Sequence, residues 1–124
     1  MIDFTHFLPE DGAPIYQQIL LYIKRGSVAG SIVDGDELPS RRVLSALLGI
    51  NPNTVQKAYR QLEEEGLIVS HAGAKSYMAL DGVKLERLRT ELLAREAGAA
   101  VAALRQMGLT RAEALALIEQ YWEE

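Results

Sequence analysis

The chain has 124 residues, 48 % hydrophobic and 24 % charged, with a net charge of −4 and no cysteine. That is room for one domain, or one domain with a small appendage, in an ordinary globular chain rather than a disordered one. It excludes disulfides, thiolate metal sites and cysteine nucleophiles, and it excludes a polycation, so nucleic-acid binding would have to come from a localised face.

Residues 1–13 read as a lead-in. Ile2 and Phe4 alternate with polar residues, which allows a short strand or an extended arm, and Glu10-Asp11-Gly12 reads as a turn. Phe4 and Phe7 are expected to pack on a neighbouring surface, the usual use of isolated aromatics. Pro14 is placed to start a helix at its first position. Ile15, Ile19, Leu20, Ile23 and Val28 give that helix an apolar stripe, with Gly30 as its stop. Ser31-Ile32-Val33 reads as a brief extended segment, and Asp34-Gly35-Asp36 as a turn leading to Leu38.

Two short helices follow. Ser40 is a good cap for the first, because its hydroxyl can accept from a free N–H of the first turn. Val43, Leu44, Leu47 and Leu48 recur at helical spacing, and Gly49 stands where a helix end favours positive φ. Asn51-Pro52 opens the second helix, with Asn as cap and Pro at the first position. Its spacing buries Val55, Ala58, Tyr59 and Leu62 and leaves Asn53, Thr54, Gln56, Lys57 and Arg60 on the more exposed side. Two short helices joined by a tight glycine turn describe a helix-turn-helix. Between residues 38 and 62 there are four bases (Arg41, Arg42, Lys57, Arg60) and no acid, whereas acids flank the stretch on both sides. A basic island in a net-negative chain is what a phosphate-facing surface needs. A structural or protein-binding hairpin carrying a few exposed bases is the competing reading.

Residues 67–71 are strand-like, residues 72–75 can turn, and residues 76–80 can return as a second strand. A hairpin in that place reads as a wing. Its small tip, with Gly73, can approach a narrow groove, and Lys75 can meet a phosphate; a solvated hairpin tip is the alternative. After Asp81-Gly82, residues 83–107 are helical, with Leu85, Leu88, Leu92, Val101 and Leu104 among the apolar positions. Gly108-Leu109 breaks that helix. Thr110 and Glu113 form a capping-box pattern for a last helix presenting Leu115, Ile118, Tyr121 and Trp122 on one side. This αα-hairpin is too small for a core of its own, so its apolar positions must bury against the first domain, a second copy or both; a second copy is expected, and packing within the chain alone is the alternative. The fold expected is mainly α with a small β-hairpin wing: a winged helix-turn-helix over residues 1–80 and a two-helix dimerisation tail over residues 81–124.

Five stretches resemble the GntR family of bacterial transcription regulators: Pro14-Ile15-Tyr16-Gln17-Gln18-Ile19, Gly35-Asp36-Glu37-Leu38-Pro39-Ser40, Arg42 with Leu44, Asn53-Thr54-Val55, and Ala58-Tyr59 with Leu62-Glu63 and Gly66-Leu67-Ile68. The short two-helix tail and Asn51-Pro52-Asn53-Thr54-Val55 look like the YtrA subfamily, whose members dimerise through the tail. The resemblance implies that Arg42 contacts a phosphate and that Ser40, at the start of the same helix, also reaches one. It implies a recognition helix beginning at Pro52, with Asn53, Thr54, Gln56 and Lys57 in the turns that meet base edges. Asn and Gln suit adenine N6 and N7, and the Thr methyl suits a thymine methyl. Two departures stand out. Asp34 replaces a proline common in the family, and the wing has no arginine where many relatives carry Gly-Arg-Gly-Thr-Phe.

The function expected is a sequence-specific transcription regulator, a dimeric repressor on an inverted-repeat operator of double-stranded DNA. The alternative is a winged-helix protein-interaction module. An unidentified small-molecule effector, if there is one, can act only through different affinities for two states. No enzyme is expected. His6 and His71 lack metal-ligand spacing, and no phosphate loop or nucleophile motif appears; neither cofactor nor metal is called for. No apolar run approaches the ~18 residues of a membrane span, and Met1-Ile2-Asp3 does not begin a signal peptide, so a cytoplasmic location is expected.

Overall fold

The structure is a computed structural model that describes residues 1–71 and 75–123. Its elements run α1 (Ile15–Ala29), β1 (Glu37–Leu38), α2 (Arg41–Leu48), α3 (Pro52–Glu64), β2 (Ile68–His71), β3 (Lys75–Met78), α4 (Gly82–Gln106) and α5 (Arg111–Trp122). The chain divides into two compact units, Met1–Arg89 and Thr90–Glu124.

In the first unit, α1 and α2 both pack on α3. The spacing that marks these helices also fills the core. Ile19 and Ile23 of α1, Leu44 of α2, and Val55, Ala58 and Leu62 of α3 have no exposed surface. Pro14 is the cap of α1 rather than its first residue, and Gly30 ends the helix at φ 87°. There the absence of a Cβ removes the cost of a left-handed conformation. Gly26, inside α1, has another use. A Cβ there would lie 2.6 Å from Ile32 Cδ1, so the missing side chain lets the loop after α1 fold back on the helix.

The sheet has three antiparallel strands in the order β1-β3-β2, not the two of a simple hairpin. Glu37 pairs with Tyr77 and Leu38 with Ser76, so the two residues leading into α2 belong to the sheet. Asp34 completes this join. Its Oδ1 accepts from the Leu80 N–H at 2.8 Å, tying the exit of β3 to the loop before β1. Lys84, in the first turn of α4, donates from Nζ to the carbonyls of Gly66 (2.7 Å) and Ala79 (3.2 Å). A cation near the carbonyl end of α3 is also favoured by the helix dipole.

The lead-in is neither strand nor loose arm. The Ile2 N–H donates to the Glu37 carbonyl, the Tyr22 hydroxyl donates to the Asp3 carbonyl at 2.7 Å, and the Gln18 side chain bonds both backbone groups of Glu10. Phe4 stacks on Tyr22 with ring centroids 5.0 Å apart, and Phe7 meets both rings edge-on. Phe4 and Phe7 are buried, as isolated aromatics in a packing role should be.

The second unit is the C-terminal part of α4 and all of α5. Thr110 and Glu113 form the capping box: the Thr hydroxyl accepts from the Glu113 N–H, and the carboxylate accepts from the Thr110 N–H at 2.9 Å. That backbone hydrogen bond holds the Glu113 carboxyl below its ordinary range.

Phe4→Ala removes the centre of the aromatic cluster, and large-to-small aromatic changes in a core cost about 3–5 kcal/mol. Urea unfolding should show a loss of that order. A change below about 1 kcal/mol, small for any core truncation, would mean that the lead-in does not belong to the core.

Candidate nucleic-acid interface

The residues singled out in the sequence gather on α2, α3 and the sheet of the first unit. Ser40 and Asn51 are both exposed and both act as helix caps. The Ser40 hydroxyl accepts from the Val43 N–H at 3.1 Å, and Asn51 Oδ1 accepts from the Asn53 N–H at 2.8 Å. Gly49, left-handed at φ 66°, makes the turn between the helices. The angle of that turn is held by Tyr59, whose hydroxyl donates to the Pro39 carbonyl at 2.7 Å. Both residues are buried, so α3 is bolted to the residue just before the α2 cap. Burial pushes the Tyr59 phenol well above the ordinary tyrosine range, which keeps it a neutral donor.

Periodicity then fixes what faces out. With Val55, Ala58, Tyr59 and Leu62 buried, Asn53, Lys57 and Arg60 are exposed and Thr54 and Gln56 half-buried. Arg41 and Arg42 are exposed at the start of α2. Among the described residues, none of Arg41, Arg42, Lys57 and Arg60 forms an ion pair; an ion pair nearby, Lys24–Glu65 at 2.8 Å, joins α1 to the end of α3. Two of the four bases have other partners. Arg41 donates from Nη1 to Gln56 Oε1. The Lys57 ammonium stands 4.0 Å from the Tyr16 ring centroid, a cation–π contact that leans it toward α1. Arg41, Gln56, Tyr59, Arg60, Glu63, Ser70 and Ser76 line a cleft of about 180 Å³ between α3 and the sheet. Lys75 is exposed at the start of β3, opposite His71. Gly73 lies outside the described residues.

The apolar stripe expected on α2 is half right. Leu44 is buried and Leu48 partly so, but Val43 (54 % exposed) and Leu47 (59 %) face solvent. A helix of eight residues touches the core along one narrow stripe, here positions 44 and 48, and the i, i+4 pair beside it stays outside.

The apolar positions assigned to the tail also divide. Leu88 is buried in the core of the first unit and Leu85 packs against it, which removes both from any surface open to a second copy. Leu92 is buried and Leu104 half-buried. Val101, Leu115, Ile118, Tyr121 and Trp122 are exposed, Trp122 by 82 %, and α5 buries no residue at all. Leu104, Leu117, Ile118, Tyr121 and Trp122 line an apolar groove of about 280 Å³.

Three features lay beyond sequence reasoning: the Tyr59–Pro39 bolt, the Arg41–Gln56 contact, and a groove of about 830 Å³ between the lead-in and α1, whose lining includes Phe7, Gln18, Tyr22 and Ile32. Each joins residues too far apart in the chain for periodicity to relate. Among the described residues no cluster of His, Asp and Glu could hold a metal ion, and no helix is long and apolar enough to cross a membrane.

Comparison with known proteins places this geometry. The family model for bacterial regulatory proteins of the gntR family matches residues 15–77. The HTH-type transcriptional repressor YtrA of Bacillus subtilis (strain 168) is 42 % identical over 71 residues, which is 57 % of this chain and 55 % of YtrA, so the match spans about half of that relative's length. A GntR family transcriptional regulator from Listeria monocytogenes has a similar structure, with TM-score 0.77 and 30 % identity over 90 % of this chain and 98 % of that one. The DNA-binding domain of AraR in complex with operator ORX1 matches at TM-score 0.51 and 28 % identity, covering 58 % of this chain and 87 % of that one.

Tyr59→Phe leaves the Pro39 carbonyl buried without its donor, a loss of about 1–3 kcal/mol. Because the folded phenol titrates above the unfolded value of about 10, the advantage of the native chain over the variant should be complete at pH 7 and shrink as pH rises past that value. Denaturant midpoints of both chains at pH 7 and in alkali check the loss and its direction.

Proposed function

Because the chain belongs to the gntR family of bacterial regulatory proteins, we propose that it is a DNA-binding transcription regulator, a dimeric repressor that occupies an inverted-repeat operator, and not an enzyme. One observation carries the reading: four bases without ionic partners among the described residues lie on and beside the N-terminal half of α3, in a chain whose net charge is −4. Such a face meets phosphates on a local patch and leaves the rest of the molecule repelled by DNA. The similarity to YtrA, a repressor by name, and to the operator-bound AraR domain supports it.

In this reading α3 enters the major groove. Asn53, Thr54 and Gln56 read base edges, while Arg42, Lys57, Arg60 and the Ser40 end of α2 hold the backbone. Lys75 and the wing tip with Gly73 approach the neighbouring backbone. The chain divides functionally into a reading head over residues 1–80 and a tail over residues 81–124. The tail pairs with a second copy through Val101, Leu104, Leu115, Ile118, Tyr121 and Trp122. Leu85, Leu88 and Leu92, at the start of the tail, are covered within the chain and take no part in that pairing, the first two packing in the core of the first unit. A two-fold dimer presents two heads and so requires a symmetric site. Bases that form no ion pair among the described residues favour this reading over a protein-interaction module. The DNA partner and the second copy account for the exposed surfaces, and the site of action is the cytoplasm, where the operator lies. An effector, if used, acts by changing the relative affinity of two arrangements of the heads.

Selection of bound sequences from a random duplex pool tests the proposal: an inverted repeat should be enriched, and recovery of no preferred sequence at low and moderate salt would overturn it. Arg42→Ala should weaken binding alike on selected and unrelated duplexes. It should also make the log–log salt dependence shallower by about 0.9 for each phosphate that the variant no longer neutralises. Replacing both Ile118 and Tyr121 by Asp should convert the dimer to monomers by sedimentation. It should reduce affinity for the two-half-site duplex far more than for a single half-site.

A further inference from the structure

The hydrogen bond between Arg41 and Gln56 constrains which base the recognition helix can read. Gln56 stands in the second turn of α3, half-buried at the mouth of the cleft between α3 and the sheet. A glutamine reads adenine by using both ends of its amide: Oε1 accepts from N6 and Nε2 donates to N7. Here Oε1 accepts from the Arg41 Nη1–H, which occupies one of its two lone pairs and sets a cation beside it. Elsewhere in the cleft the Tyr59 hydroxyl is committed to the Pro39 carbonyl, and Glu63 accepts from the Ser70 hydroxyl at 3.2 Å. The backbone on either side of the bond is also held. Arg41 is the first residue of α2 and Gln56 the fifth of α3, and the Tyr59–Pro39 bond bolts these two segments together.

Together the two side chains offer an edge dominated by donors and carrying a positive charge: the Gln56 Nε2 hydrogens and the remaining N–H groups of the Arg41 guanidinium. The major-groove edge of guanine, with N7 and O6, is acceptors only, whereas adenine presents a donor at N6 that would meet another donor. We propose that Arg41 is a positioning residue that holds Gln56 Oε1 and so turns a side chain suited to adenine into part of a guanine-reading pair. This replaces the adenine expected for Gln56 from its residue type alone. It rests on the reading of α3 as a recognition helix.

Sequence selection from the random duplex pool, run in parallel on the full chain and on Gln56→Met, Arg41→Met and Arg41→Lys, tests it. All three substitutions lie at a partly or fully exposed surface and leave the core intact. The position at which Gln56→Met loses its preference is the one Gln56 reads, and the native chain should select guanine there over adenine by about tenfold, in the range of a bidentate base contact. Arg41→Met frees Oε1 and should move the preference at that one position from guanine to adenine. Arg41→Lys, which keeps a donor, should retain guanine more than Arg41→Met does. Two results would overturn the inference while leaving a DNA-reading α3 intact. In one, the native chain prefers adenine at that position. In the other, Arg41→Met weakens all sequences equally with no change in the base preferred. An absence of preferred sequence for the native chain would remove the recognition helix itself, and this inference with it.

Discussion

The first unit depends on the burial of one face of α3. Val55, Ala58 and Leu62 are closed to solvent and Tyr59 nearly so, against Ile19 and Ile23 of α1 and Leu44 of α2. A helix turns once in about 3.6 residues, so anchoring positions 55, 58, 59 and 62 inward leaves 53, 56, 57 and 60 no choice but to face out or lie at the boundary. The polar face is thus a consequence of the core, and its orientation is as rigid as the core that sets it. Tyr59 joins both roles: its ring fills the interior, and its hydroxyl fixes the α2 cap region through the Pro39 carbonyl. The Lys24–Glu65 pair and the Lys84 bonds to Gly66 and Ala79 hold the far end of α3, so the helix is secured at both ends.

Much of this was legible because local rules and tertiary packing agree. Ser40, Asn51 and Thr110 cap the helices whose starts they marked, and Gly30 and Gly49 end theirs at positive φ. What was not legible has physical causes. A strand of two residues, Glu37–Leu38, carries no period to detect, and its identity comes from pairing with Tyr77 and Ser76, far along the chain. The lead-in is fixed by Tyr22 and Gln18, partners that alternation in the first few residues cannot reveal. Asp34, a departure from the family's common proline, holds the Leu80 N–H, a use that appears only when both ends of the sheet are in view. Arg41 and Gln56 were each legible as polar surface residues, but their hydrogen bond crosses 15 positions and changes what the glutamine can offer a base.

The tail poses the opposite problem. Its helices were easy to read, and its capping box formed as spaced, yet α5 buries none of its residues within one chain. Exposed large apolar side chains on this scale are uncommon on a surface meant only for water, and a continuous patch marks a surface built for contact. Leu85 and Leu88 show the limit of periodicity here. The same i, i+3 spacing serves an intrachain core or a partner, and only the fold shows that these two residues serve the core of the first unit.

In the function proposed, two reading heads act together on one symmetric DNA site. Hydroxyl-radical footprinting of the full chain on the duplex it selects tests this directly. Two protected patches, related by two-fold symmetry with centres one helical turn of about 10 base pairs or a multiple of it apart, are the expected result. A single protected patch, or protection spread evenly along any duplex, would contradict the account.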